Sequence, residues 1–288
     1  LGTTIIIKSF AVEPDADTAE EKVPLKSAAL QAMRDRADAA TISSVNDPAH
    51  RIDLIKDPLL HYDNVENNIF GSSLWAFGDG GRPQVLLKVE AHRWNGDELP
   101  RVTWVYCFVS ISDKNIRATW PNGLRYKTRE PGLKPGTFAD APKPAATKAG
   151  RLTQMKELAR RFWVGDAKKP DRSFRPLPTP IYRYTDEQAG VKDGAVFGFV
   201  ETGTNPSAVL TLELSQRTDA GDGDGGTTDA DAKWQYSLAR LGTGQVAAKL
   251  EGRTVYETAY TGVMPVQEPT WMWFFEKGTM PSEKKEEE

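Results

Sequence analysis

The sequence predicts a mainly β protein: two tandem homologous antiparallel β-meander repeats packed together, with one amphipathic linker helix and a partly helical N-terminal arm. Three observations predict it. A series of motifs occurs twice in the same order, apolar residues inside each copy alternate with period two, and Gly- or Pro-containing turns separate the runs at hairpin distances.

Residues 1–56 read as an arm. Its 25–40 stretch is Ala-rich and predicts a helix, and Glu20-Glu21-Lys22 reads as solvated. Leu1 in place of Met is what a processed or trimmed product would show, and no signal peptide is legible. The first repeat, 57–128, opens on Pro58-Leu59-Leu60-His61-Tyr62 and continues through Leu74-Trp75-Ala76-Phe77. Gly81-Arg82-Pro83 marks a hairpin turn before Val85–His92, and Asn95-Gly96-Asp97 marks the next. Val85, Leu87, Val89 and Ala91 share one strand face; Leu86, Lys88, Glu90 and His92 share the other.

Residues 129–179 read as a Pro-rich linker carrying a helix over 150–163. Leu152, Met155, Leu158, Ala159 and Phe162 form its apolar stripe, with Thr147 as N-cap and Gly165 as the C′ residue. The second repeat, 180–260, answers the first. Pro180-Ile181-Tyr182-Arg183-Tyr184 is followed by Val196-Phe197-Gly198-Phe199, then Ala208–Glu213, Trp234-Gln235-Tyr236 and Tyr256-Glu257-Thr258. The offset is 122 up to Gly81, 123 from Pro83 and 130 from Trp104, and it changes only at turns, where length is tolerated. Residues 261–288 form a C-terminal extension with a charged tail.

One strand distinguishes the copies. Trp104–Val109 is apolar on both faces, which predicts a covered outer face. Gln235, Ser237 and Ala239 predict a wetter one in the second copy. A unit of some seventy to eighty residues hides only about 60% of its unfolded surface, so the copies are expected to share an interface.

The chain has 288 residues, with 37 Lys+Arg against 40 Asp+Glu and a net charge of −3. No excess of positive charge supports nucleic-acid binding. One cysteine excludes an intrachain disulfide framework, and no apolar run reaches the roughly 18–20 residues of a membrane span. No Gly-rich phosphate loop opens a helix, and no cofactor is expected.

The order PLLHYDN, SLWAFGDGGRPQVLL, RLTQMKELARRF, LPTPIYRYTD, DGAVFGFVETG, VLTLELS, WQYSLARL and EGRTVYE resembles a family of uncharacterised proteins of planctomycete bacteria that are usually exported. The resemblance covers roughly residues 57–275 and is most specific over 151–258. It carries no catalytic residues across, but it implies a periplasmic or extracellular location.

Candidate chemistry is sparse. Cys107 lies among apolar neighbours, where a free thiol behaves as a small hydrophobe. His61, Asp63 and His92 lack local metal-ligand spacing. The loop containing Asp219, Asp222, Asp224, Asp229 and Asp231 clusters the hard oxygens calcium prefers, but without EF-hand order it reads first as a flexible insertion. Glu90 and Glu213 occupy equivalent positions, and two carboxyls converging at about 5–9 Å are the machinery of glycoside hydrolysis; an exposed strand Glu needs no function. Trp104 and Trp234 belong to the shared pattern and read as core, as does the Trp75/Phe197 pair. Trp94, Trp271 and Trp273 are freer to act as surface anchors.

The leading expectation is a non-catalytic exported binding or structural protein with a protein or glycan partner. A carbohydrate-active hydrolase using Glu90 and Glu213, and calcium-dependent adhesion through residues 219–231, are the alternatives.

Overall fold

A computed structural model describes residues 22–64, 68–79, 81–93, 101–201, 203–216 and 232–280. The first half holds α1 (Lys22–Asp38), β1 (Thr41–Ser44), β2 (Leu60–Asn64), β3 (Ile69–Phe77), β4 (Val85–His92), β5 (Arg101–Ser110), β6 (Ile116–Thr119), β7 (Arg125–Lys127) and β8 (Gly136–Thr137). The second holds α2 (Lys148–Arg160), β9 (Phe162–Asp166), β10 (Lys169–Pro176), β11 (Tyr182–Asp186), β12 (Val191–Val200), β13 (Pro206–Ser215), β14 (Lys233–Arg240), β15 (Val246–Leu250), β16 (Arg253–Thr258), β17 (Val266–Gln267) and β18 (Trp271–Thr279). The fold is mainly β, with antiparallel sheets packed together.

The strands β2-β3-β4-β5 form one meander and β11-β12-β13-β14 the other. Their registers agree position for position: Leu60 faces Leu74 as Tyr182 faces Val196, Glu90 faces Val105 as Glu213 faces Gln235. A bulge interrupts β2 against β3 after Tyr62 and β11 against β12 after Tyr184. Beside each meander lies a second strand set of matching order, β1-β6-β7 in the first half and β9-β15-β16 in the second. In the second half β10 joins that set to β12, making one nine-stranded sheet. In the first half the same path is reduced to two bridges, Ser43 to Arg51 and Leu54 to Phe77, so β1-β6-β7 stays a separate sheet.

The last strand of each half is exchanged. β8, which follows the first hairpin pair, adds to β14 of the second half; β18, which follows the second, adds to β5 of the first and carries β17 on its outer edge. Gly136 is required where β8 crosses β14, because a Cβ there would collide with the Tyr236 ring. Residues 129–179 are therefore no mere spacer: they supply β8, α2, β9 and β10. The C-terminal extension is structural as well, since β18 buries Trp271, Met272, Trp273 and Phe274.

Three cores follow from the period-two alternation. Trp75, Phe77, Leu87, Trp104 and Phe108 face Met33 and Ala37 of α1. Phe197, Phe199, Leu210, Leu212 and Trp234 face Met155, Leu158 and Ala159 of α2. The opposite faces of the two meanders meet in the middle, where Leu74, Leu86, Val105 and Val109 pack with Val196, Val209, Ala239 and Trp271.

The doubly apolar β5 is thus covered on its outer face by the other meander, with Trp271 and Trp273 of β18 beside it. The matching face of the second half is drier than the sequence predicts: Gln235 is half-buried, while Ser237 and Ala239 are buried, as are Thr211 and Glu213. Glu213 persists there because Arg82 and Tyr184 meet it inside the interface, and the Ser237 hydroxyl accepts from the Lys134 N–H at 3.2 Å.

Thr147 caps α2, accepting from the Gly150 N–H at 3.0 Å. The helix ends at Arg160 rather than near 163, and Gly165 is not its C′ residue. Phe162 already pairs with Leu250, so the chain must extend at once, and Gly165 lies inside β9. The α2 stripe has a counterpart that sequence reading did not use. Leu30, Met33, Ala37 and Ile42 recur as Leu152, Met155, Ala159 and Val164, again 122 residues on.

Candidate functional site

Glu90 and Glu213 come to the central interface by the pleat. Each sits one residue out of step with its strand's core-facing set, so each side chain turns toward the other meander, where water is excluded and every polar atom needs a partner. Both are buried, at 8% and 4% exposure. The Tyr184 hydroxyl donates to Glu213 at 2.6 Å, and the equivalent Tyr62 hydroxyl lies 3.3 Å from Glu90, with its proton directed to Asn205.

Each carboxylate is also met by a hairpin turn of the opposite half. From the β3–β4 turn, Arg82 donates Nε and an Nη to the two oxygens of Glu213 at 2.7 and 2.9 Å, a bidentate pair. From the β12–β13 turn, Asn205 donates to Glu90 at 3.2 Å, while its Oδ1 accepts from Tyr62 and Lys88, both at 2.8 Å. The first turn comes this close because Gly81 adopts φ +106°, and a Cβ there would press on the Thr185 carbonyl oxygen.

The two cradles differ in charge. Glu213 faces the Arg82 guanidinium; Glu90 is served by Lys88 at 3.9 Å, His92 at 3.0 Å and the Ser72 hydroxyl at 3.3 Å. Burial alone would raise the Glu90 pKa, but Lys88 and His92 more than reverse it, holding the group at about 2. Burial would lower the Arg82 pKa, and Glu213 drives it up instead. The Tyr62 and Tyr184 phenols are pushed well up by burial and by the adjacent carboxylates. Two buried carboxylates, each hydrogen-bonded from its own half and from the opposite one, are fitted to hold the halves together. Neither lines any of the three clefts described on the surface.

Other sequence candidates fall elsewhere. Burial pushes the Cys107 thiol up to about 11, and the Trp271 Nε1–H donates to its sulfur at 2.9 Å. Trp271 and Trp273 are not surface anchors: they are 1% and 6% exposed, because β18 is an interior-facing strand rather than a loose extension. His61 contacts the Ser72 carbonyl and His92 contacts Glu90. Among the described residues no three His, Cys, Asp or Glu side chains group as metal ligands. Trp94 and Asp219, Asp222, Asp224, Asp229 and Asp231 lie outside the described residues.

The most enclosed of the larger surface clefts, about 370 Å³, lies where the halves meet. Tyr236, Leu238, Val255 and Tyr256 come from the second half, and the 129–134 and 268–271 segments close the other side. Three carboxylates, Glu130, Glu257 and Glu268, line it together with Lys134, which pairs with Glu130 at 2.6 Å. Arg240 forms its floor, stacked over Trp271 at 4.4 Å and donating to the carbonyls of Gly242, Gly244 and Ala259, so its guanidinium is committed to the walls. Beside it Tyr260, Val263 and Met264 are 59–69% exposed.

Comparison with protein-family models, with curated proteins and with solved structures finds no match to this chain. Sequence reasoning missed Arg82, Asn205 and the two tyrosines as one device. The signal was present: both tyrosines close the first matched motif, and Arg82 and Asn205 each precede the matched prolines Pro83 and Pro206.

Proposed function

We propose that this chain is a non-catalytic binding protein, exported as its family resemblance implies and built by duplication of a helix–strand–meander–hairpin unit. The observation that carries the binding reading is the fate of Glu90 and Glu213, which are committed to cross-half hydrogen bonds rather than offered to a substrate. The duplication reading is supported by matching registers, the helix stripes and the reciprocal strand exchange.

The ligand seat in this reading is the 370 Å³ cleft with its apolar loop. Clefts at domain junctions are favoured binding places, and exposed Tyr, Val and Met side chains beside one mark a protein contact. Glu257 and Glu268, the two wall carboxylates outside the Glu130–Lys134 pair, favour a basic peptide segment flanked by apolar residues. Selection from a random peptide library on the wild-type protein should yield such a consensus. Val255→Trp, which fills the cleft, and Met264→Ser should each weaken the selected peptide about tenfold or more without moving the unfolding midpoint. No consensus, or equal binding by both variants, overturns the reading; sugar release from oligosaccharides would restore the hydrolase alternative.

A further inference from the structure

The outer face of β1-β6-β7 forms an open groove of about 980 Å³ lined by Arg117, Arg125, Lys127 and Arg129, with Thr119 and Gln267 among them. Among the described residues no carboxylate lines it, and none of the four cations makes an ion pair. Arg117 stands directly opposite Lys127, and like charges placed so destabilise a sheet. The chain as a whole is acidic, with a net charge of −3, so the concentration is local.

The second half acts as an internal control. Thr128 Oγ1 accepts from the Ile116 N–H as Thr258 Oγ1 accepts from Val246, which aligns the two hairpins. On that alignment Arg117 and Lys127 correspond to Ala247 and Glu257, and Arg125 to Val255. The hairpin folds equally well without the cations, so the fold does not explain them.

We propose that this groove binds an anionic polysaccharide, a carboxylated or sulfated glycan lying along β7. Arg125 and Lys127 point the same way along β7, about 6.8 Å apart, Arg117 lies across from Lys127 and Arg129 follows just past the strand's end, a spread of charge that serves a repeating anion better than a single small one. Single-stranded nucleic acid would want exposed aromatic platforms, but the groove's one ring, Tyr126, is turned inward against Phe108 at 5.3 Å. An anionic membrane would want apolar side chains for insertion, and the lining has none on its outer face.

Binding is measured by calorimetry against polygalacturonate, dextran sulfate, neutral dextran and oligothymidylate, each across a range of salt. The expected result is saturable, salt-sensitive binding of at least one anionic polysaccharide. Arg117→Gln/Lys127→Gln should lose about tenfold or more in affinity and show a shallower salt dependence. Its melting temperature should be unchanged or higher, because a like-charge pair is removed. Equal binding of neutral dextran, tighter binding of oligothymidylate, no binding of either anionic polymer, or undiminished affinity in the double variant would each overturn the assignment.

Discussion

Replacing Glu213 by Leu strands the Arg82 guanidinium, 5% exposed, with Asp113 at 3.7 Å and the Tyr184 hydroxyl as partial compensation. Replacing Arg82 by Met strands the carboxylate, left with the Tyr184 hydroxyl alone. Breaking a buried ion pair from one side costs about 3–5 kcal/mol, and the Asp113 contact puts Glu213→Leu toward the lower end. At some 2–4 °C per kcal/mol, either single variant should melt roughly 10 °C below wild type. Removing both charges costs far less, since a buried pair is often no more stabilising than apolar residues of similar size. The orphaned Tyr184 hydroxyl would then be the main debit, about 1–3 kcal/mol, and adding Tyr184→Phe should remove it. The triple variant is therefore expected within about 2 kcal/mol of wild type. Guanidinium unfolding followed by tryptophan fluorescence reads all four states, because Trp75, Trp104, Trp234 and Trp271 are buried. Strictly additive losses, or a wild-type midpoint for either single variant, would refute the interlocking of the halves through this pair. Catalytic carboxylates predict the opposite for Glu213→Gln: lost turnover with an unmoved midpoint.

Two further outcomes follow from the interior. Glu90 is held at about 2 when folded against 4.5 as its ordinary value, so its contribution, about 3 kcal/mol at most, is complete above roughly pH 4.5 and fades as the pH falls toward 2; Glu90→Gln should flatten that limb of the stability profile, and an unchanged acid limb would count against the Lys88–His92 cradle. Cys107, with its thiol raised to about 11 and buried, should resist iodoacetamide at pH 8 until the chain unfolds, so alkylation should follow unfolding measured by fluorescence; rapid native labelling would show the interface open.

The meanders were legible because strand alternation writes burial directly into sequence, and the matched Trp, Tyr and Pro residues fixed their order. Leu30 and Met33 match Leu152 and Met155 just as well, yet helices of this length expose most positions, which thins the signal between the two halves. The strand exchange left no local mark at all: Gly136-Thr137 is too short to show periodicity, and Trp271–Phe275 is apolar on both faces whichever sheet it joins. Glu90 and Glu213 were found from their equivalence. Their environment was not, because the same alternation places a polar residue on a wet face or on a dry interface, and only the neighbouring half decides which.

The exchanged terminal strands set an order on synthesis. When the ribosome has delivered residues 22–137, β5 still has an open edge, and the strand that closes it is the last one described, some 130 residues later. The early half must wait with its edge unpaired, exposed to any other strand nearby. Two nascent chains on one messenger could satisfy each other's β5 with the wrong β18, giving an intertwined dimer with every native contact intact.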